Sequence, residues 1–468
     1  MRNRNKIWML ILVSMFSFNT CKNTEMFLKK VQKNAVASDQ SYQALEYLSK
    51  QAPGRLPGTP QSEKAIKFIE QKLKDYGADS VWLFPVKAPG WSELKKPVVE
   101  VLFNNNKVNL NSVSLGECVS TTDDGVDAPV VVINSRDQID SLGENGLKGK
   151  IVFFNLKMQT RGDYGKMVWQ RVQGASLVSK YGAIGVLERS LTTKYDDNPH
   201  TGVVRYDDNY PKIPAVGISW KAADSLEILL AQEPQLKVHI ETFCNNPGLV
   251  PSYNVIGEIK GSKYPDQILF LTGHLDAWHN AEGTQDDGGG VVQIIDVIRI
   301  FKTLGIRPLH TIRVMPYMDE EQYMNGMKQY EDYIAKTNQR HIFETEVDGG
   351  IGIPVGFSIQ ADSIVFTKQD QWRKYLAKLN ANDIRFSGTY AKDWPLYPSE
   401  KIIMSRLSCN DEHYFDYHHS ANDIFATADK HNLQMGSAVL ATFIYILDKM
   451  DVIDNSKRST GEFNLPTH

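Results

Sequence analysis

Residues 268–276 read ILFLTGHLD: four apolar residues in a row, then a turn-forming glycine, a histidine and a carboxylate. A short apolar run bounded in this way is a strand buried on both faces, as the strands of parallel sheets are. Working outward, Gly290 to Leu304 has helical periodicity, Thr311 to Tyr317 reads as a strand, and Gln322 to Thr337 as a helix. That alternation predicts an α/β fold: a mixed, mostly parallel sheet sandwiched by helices. Ligands of open parallel sheets sit beyond the carboxyl ends of the strands, where His274 falls. Leu433 to Met450 supplies a closing helix.

Upstream, Thr59 and Pro60 open a helix whose apolar residues Ile66, Ile69 and Leu73 recur at helical spacing until Gly77. Leu83 to Val86 and Val98 to Phe103 are strands. From about Asn106 the texture changes to short apolar runs separated by turns, interrupted by one helix, Arg171 to Lys180. This predicts a strand-rich unit, residues 106–246, inserted into a larger domain made of 25–105 and 247–455, with a polar tail at 456–468. Residues 1–21 read as a signal peptide: a basic start, twelve apolar residues from Ile7 to Phe18, then Cys21. The apolar run is too short to span a bilayer. A thiol directly after such a run marks a lipoprotein-type leader, plain secretion and an uncleaved anchor being the alternatives. All three place the fold outside the cytoplasm, in the periplasm, the cell envelope or the medium.

The chain has 468 residues, 42% hydrophobic and 23% charged, which excludes a disordered or fibrous protein. A net charge of -3 gives no bulk attraction to nucleic acid. With Cys21 set aside, Cys118, Cys244 and Cys409 are an odd, scattered trio, and no disulfide framework is expected.

Acids gather at the strand ends. Gly283 to Gly290 reads GTQDDGGG, with Asp286 and Asp287 at the start of a helix, where they could serve only as caps. The strand ending at Tyr317 leads into Asp319, Glu320 and Glu321, and the next run leads into Asp348; Tyr417-His418-His419-Ser420 follows near the end. Carboxylates on three successive strand ends repel one another unless cations lie among them. Imidazole and carboxylate without thiolate suit a divalent transition metal in an open, catalytic site.

In the order and spacing of H-L-D-x-W, D-D-G-G-G, E-E-Q, E-x-D-x-G and H-H-S, the sequence resembles the zinc exopeptidases of the aminopeptidase type. The likeness extends from Arg55-Leu56-Pro57-Gly58-Thr59 through Pro199-His200-Thr201-Gly202 to His418-His419-Ser420. It implies two Zn2+, one held by His274 and Asp348, the other by Glu321 and His419, with Asp286 bridging. Two such ions about 3.5–4 Å apart would ionise a shared water. Glu320 would be the general base, and Asp276 would accept the second imidazole N–H of His274. His418 stands where the wider family has Tyr, and is expected to assist oxyanion stabilisation. Asp319 is expected to face solvent. The 106–246 unit resembles a protease-associated insert that narrows the cleft, with His200 either facing the site or lying in a surface loop.

The resemblance implies hydrolysis of dipeptides or of terminal residues of short peptides. Two other readings stand beside it, a single-zinc enzyme of glutaminyl-cyclase type and a peptidase-fold binding protein with a dead site. The expected partner is a short peptide substrate, with no nucleic acid, with membrane contact only through a lipid on Cys21, and with a homodimer by analogy.

Overall fold

The computed structural model describes residues 26–449 except 105, 361–368, 387–402 and 411. The leader with Cys21 and the polar tail lie outside the described residues. In chain order the main elements are helices α1 (Gln40–Gln51) and α2 (Pro60–Asp75), strand β1 (Ser80–Phe103), strands β2 (Val126–Ile133), β3 (Ile151–Phe154), β4 (Gly185–Arg189) and β5 (Ala215–Ile218), and helix α3 (Trp220–Gln232). Then come β6 (Lys237–Ile259), β7 (Tyr264–His274), α4 (Gly289–Thr303), β8 (His310–Tyr317), α5 (Asn325–Ile334), β9 (Arg340–Glu346), β10 (Ile353–Gln360), β11 (Asp383–Phe386), β12 (Ile403–Asn410) and α6 (Lys430–Lys449).

The larger sheet runs β11-β10-β12-β9-β7-β8-β6, with β1 on the far side of β6. Its centre, β12, β9, β7 and β8, is parallel, and antiparallel strands flank it. The expected strand, crossover helix and strand therefore appear in order. Helix α4 packs between this sheet and α1 and α6. Eight of its apolar side chains, among them Val291, Ile294, Ile298 and Phe301, are wholly buried. At roughly 1.5–3 kcal/mol for each large side chain removed from water, α4 is firmly fixed, and so is the acidic turn at its start. Thr59 caps α2, its hydroxyl accepting from Ser62 N at 3.1 Å.

The segments read as separate short strands around Leu83 and Val98 merge into one long strand, which pairs with a second. β1 and β6 pair antiparallel from Ser80↔Glu258 to Val101↔Val238, with register shifts near Gly90, Ser92 and Lys95. Each strand supplies the other's hydrogen-bond partners through its Pro and Gly positions, so the ribbon survives residues that would end an isolated strand. The ribbon leads into the second group of strands, where β2, β3, β4 and β5 are successively parallel over their own apolar cluster. The position near 246 thus lies inside β6. The helix expected from Arg171 to Lys180 is two short ones, Trp169–Val172 and Gly174–Ser179. Gly174 leaves no room for a side chain beside Phe154.

Cys118, Cys244 and Cys409 carry no disulfide among the described residues. Segments 117–121 and 242–246 are joined by hydrogen bonds, and Cys244 packs against the buried cluster that contains Cys118.

Candidate active site

β7 carries His274 to its carboxyl end, and the following turn brings back Asp286. His274 Nε2 lies 3.0 Å from Asp286 Oδ1, and the other oxygen of Asp286 lies 3.4 Å from His419 Nε2. One carboxylate therefore stands between two histidines 145 positions apart in sequence. Asp348, just past β9, completes one cluster: atoms of His274, Asp286 and Asp348 all lie within 4.8 Å of one another. His419 Nε2 is also 3.0 Å from Glu321 Oε2. The five residues expected to hold metal thus converge in one buried place.

The two aspartates of the turn have different environments. Asp287 faces the backbone, accepting from His274 N at 3.2 Å and Gly290 N at 3.0 Å, and acts as the helix cap. A side chain at Gly290 would meet Val347 O at 1.9 Å, so only glycine lets the turn approach β9. Asp286 points into the cluster instead, leaving Oδ2 buried without a hydrogen-bond partner, as is Glu321 Oε1. Orphaned carboxylate oxygens aimed at imidazole nitrogens are a donor set for a divalent cation. Burial raises the pKa of Asp286 and, more strongly, of Glu321, whose shift is reinforced by the charge of Asp286. Burial disfavours the cationic form of His274, but its contacts with Asp276 and Asp286 outweigh this and hold it well above the ordinary imidazole value.

The carboxylate of Asp276 has a role beyond the one expected. His274 Nδ1 meets the main-chain oxygen of Asp276 at 3.1 Å. The carboxylate is 3.6 Å away, too far for a good hydrogen bond. That carboxylate instead accepts the backbone N–H groups of Glu320 and Glu321, each at 3.2 Å. Asp276 thereby fixes the segment that carries both glutamates. Glu320 has its pKa pushed up to about 8, first by burial and then by Asp348 and Asp276 against the opposing pull of His274. Asp319 corrects an expectation: it is wholly buried rather than solvent-facing. Its Oδ2 accepts from Asn325 N and Nδ2 at 2.9 and 2.7 Å. It holds a left-handed turn, φ 68°, between β8 and α5.

The strand-rich unit closes the other side. His419 also has left-handed backbone, φ 62°. Its carbonyl accepts from Thr201 N at 2.9 Å and from Asn280 Nδ2 at 3.3 Å. Its Nδ1 faces Thr201 O at 3.1 Å and Arg171 Nη1 at 3.3 Å. An Nδ1–H donated to Thr201 O leaves Nε2 as the electron-pair donor toward Glu321 and Asp286. His418 stacks on His419, ring centres 3.5 Å apart, and its Nε2 is 3.9 Å from Asp286 Oδ2. Atoms of Asp286, His418 and His419 also lie within 4.8 Å of one another, so His418 is within ligand range. Burial, then Arg171, hold its imidazole neutral. His200 is buried, not in a surface loop, and its Nδ1 lies 2.6 Å from the His418 carbonyl.

Four residues of this site had no role in the sequence reading. Arg55 is wholly buried, its guanidinium donating to Leu275 O at 2.5 Å, Glu282 O at 2.9 Å and Gly283 O at 2.8 Å. Asp423 accepts the backbone N–H groups of Thr284, Gln285 and Asp286 at 3.0, 2.7 and 3.2 Å. Arg171 and Thr201 come from the strand-rich unit. Arg55, Thr201 and Asp423 lie within or beside the motifs that carried the resemblance, which is the signal that was there to follow.

A mostly parallel sheet presents two histidines and several carboxylates at its strand ends, two of them with an orphaned oxygen, a donor set of the kind that metallohydrolases carry. Residues 254–444 match the model of Peptidase family M28. The chain is 29% identical to human carboxypeptidase Q over 415 residues, covering 89% of this chain and 86% of that protein. It is 28% identical to the bovine protein over the same number of residues and the same shares. A Peptidase M28 precursor from Shewanella amazonensis SB2B has the same architecture, with a TM-score of 0.85 and 27% identity, covering 96% of this chain and 100% of that one. The fold also matches a zinc aminopeptidase from Bacillus subtilis, with a TM-score of 0.65 and 16% identity, covering 91% and 98%.

Proposed function

We propose that the protein is a dizinc exopeptidase acting on dipeptides or the terminal residues of short peptides. The observation that carries this reading is Asp286, whose two oxygens lie 3.0 Å from His274 and 3.4 Å from His419. In this reading His274 and Asp348 would hold one ion and Glu321 and His419 the other, with Asp286 available to both. When bound, the pair would supply positive charge that lowers the pKa of water and polarises the scissile carbonyl.

The chain's own groups do the rest. Asp276 orients Glu320 through the backbone. Glu320 takes a proton from the attacking water and delivers it to the leaving amine nitrogen. His418, neutral and stacked on His419, donates a hydrogen bond to the developing oxyanion. Residues 106–246 cover the site as a lid, which favours short substrates. The chain works outside the cytoplasm, secreted or anchored through Cys21; no described helix is long and apolar enough to cross a membrane.

The test combines metal analysis with Glu320→Gln. The wild type should carry close to two zinc per chain and hydrolyse dipeptides. The variant should keep both ions and the wild-type melting temperature while kcat falls at least 1000-fold, on the order expected for loss of general-base catalysis. Residual activity within tenfold of wild type would refute the role of Glu320. One zinc per chain, or none, would refute the binuclear reading.

A further inference from the structure

We propose that Cys118 and Cys244 form a dithiol that an external disulfide donor converts into a bridge between the strand-rich unit and the β1/β6 ribbon. The pairing stands on a ladder of contacts between the two segments. Asn246 Nδ2 donates to Glu117 O at 3.3 Å, Ser120 Oγ exchanges bonds with the N and O of Cys244 at 2.8 Å each, Thr121 N donates to Thr242 O at 3.1 Å, and Thr242 Oγ1 donates to Val119 O at 2.8 Å. Contacts on both sides of Cys118 and Cys244 hold the segments at the separation of neighbouring strands, within the Cα spacing a disulfide spans. Both cysteines belong to one packed cluster, Cys118 inside it and Cys244 against its edge.

The two sulfurs differ in access. Cys118 is wholly buried in the cluster with Leu56, Trp91 and Trp278, its carbonyl accepting from Trp91 Nε1 at 3.0 Å. Cys244 is half-buried at the edge of the same cluster. The order of events follows from that asymmetry. The Cys244 thiolate attacks the donor's S–S bond, forming a mixed disulfide and expelling one donor thiolate. The Cys118 thiolate then attacks the Cys244 sulfur, forming the internal S–S bond and expelling the second. Two protons and two electrons pass from the pair to the donor, a low-molecular-weight or protein disulfide, which leaves as two thiols. The bridge would close a loop of more than a hundred residues, the circumstance in which a cross-link most restricts the unfolded chain. It would also clamp the segment beneath Trp278, whose ring packs 5.7 Å from that of His419. Cys409 sits on β12, outside this cluster, and serves as an internal reference.

The full chain is incubated with oxidised glutathione, the remaining thiols are alkylated after unfolding, and peptides are mapped by mass spectrometry with and without reduction. The expected product is a Cys118–Cys244 cross-linked peptide, with oxidised protein melting above reduced protein. Cys118→Ser should stop at a glutathione adduct on Cys244, and Cys244→Ser should gain no adduct on Cys118. The proposal is overturned if both thiols of the wild type stay alkylatable, if either pairs with Cys409, or if Cys244→Ser leaves Cys118 readily modified. None of these readouts depends on peptidase activity.

Discussion

Asp423→Asn separates what the acidic turn needs for folding from what it needs to hold metal. The carboxylate accepts three backbone N–H groups, two on Oδ1 and that of Asp286 on Oδ2. An asparagine of the same shape keeps one oxygen and sets an NH2 against the remaining amide. A hydrogen bond to a charged group is worth about 1.5–3 kcal/mol, so the turn loses at least one such bond outright and weakens two. Against this, burial has pushed the Asp423 pKa up to about 7, because desolvation and the charge of Asp286 outweigh the amides and Arg55. In metal-free protein, removing the charge therefore relieves a cost of the same order as the bonds lost, and the melting temperature should hardly move. With divalent ions on Asp286 that repulsion is gone, and the misplaced turn should appear in metal affinity. Two to three kcal/mol corresponds to about 30- to 150-fold weaker zinc binding. Competition titration against a chromogenic chelator, with calorimetric melts of the chelated protein, reads both quantities. Zinc affinity within threefold of wild type would refute the argument. So would a variant whose metal-free form collapses while its affinity is kept.

Three further substitutions test neighbouring steps. Asp286→Ala should bring zinc below one per chain by elemental analysis, whereas two retained ions would give the bridging role to another carboxylate. His418→Ala should keep two ions and lose about 100- to 1000-fold in kcat, the range for removal of one oxyanion donor; loss of one ion instead would make His418 a ligand, as its 3.9 Å approach to Asp286 allows. Glu188 is buried and its pKa is raised from 4.5 to about 8, burial outweighing Arg171 and Gln170. The folded chain therefore binds a proton there that the unfolded chain has released. Its contribution to stability is complete below pH 4.5 and is lost as pH rises through 8. Glu188→Gln should flatten the fall in stability between pH 6 and 8 by up to about 1 kcal/mol per pH unit in urea melts, and an unchanged slope would refute it.

The parts of this molecule legible in sequence are those encoded by local pattern. The apolar run into His274, the helical period from Gly290 and the acids after Tyr317 each lie within one strand or helix and its next turn. Those elements are observed at or within a few residues of their expected bounds. The candidate metal ligands came from the resemblance, each following a strand end or a short motif. The residues that hold those ligands in place were not legible in this way. No periodicity says that the Asp423 carboxylate reaches three amides 137 to 139 positions away. Asp276 was assigned to an imidazole two residues off, the nearest partner in sequence, and its carboxylate instead holds amides at 320 and 321.

The same limit explains the cysteines and the ribbon. An odd count of thiols carries no pairing information until the segment after β1 folds back beside β6, where Ser120 meets Cys244 and Cys118 joins the same cluster. Register also accounts for the strand-rich unit's grip on the site. Thr201 is followed by Gly202, where a side chain would strike the Arg171 guanidinium at 2.4 Å, so that glycine lets Arg171 lie against the segment and reach His419. A left-handed histidine costs on the order of 1 kcal/mol or more and persists only where its surroundings determine it. Here those surroundings are Thr201, Asn280 and Arg171, two of them from the unit between β1 and β6. The strand-rich unit is therefore part of the site's first wall, and the conformation of His419 is a property of the whole fold rather than of the motif that contains it.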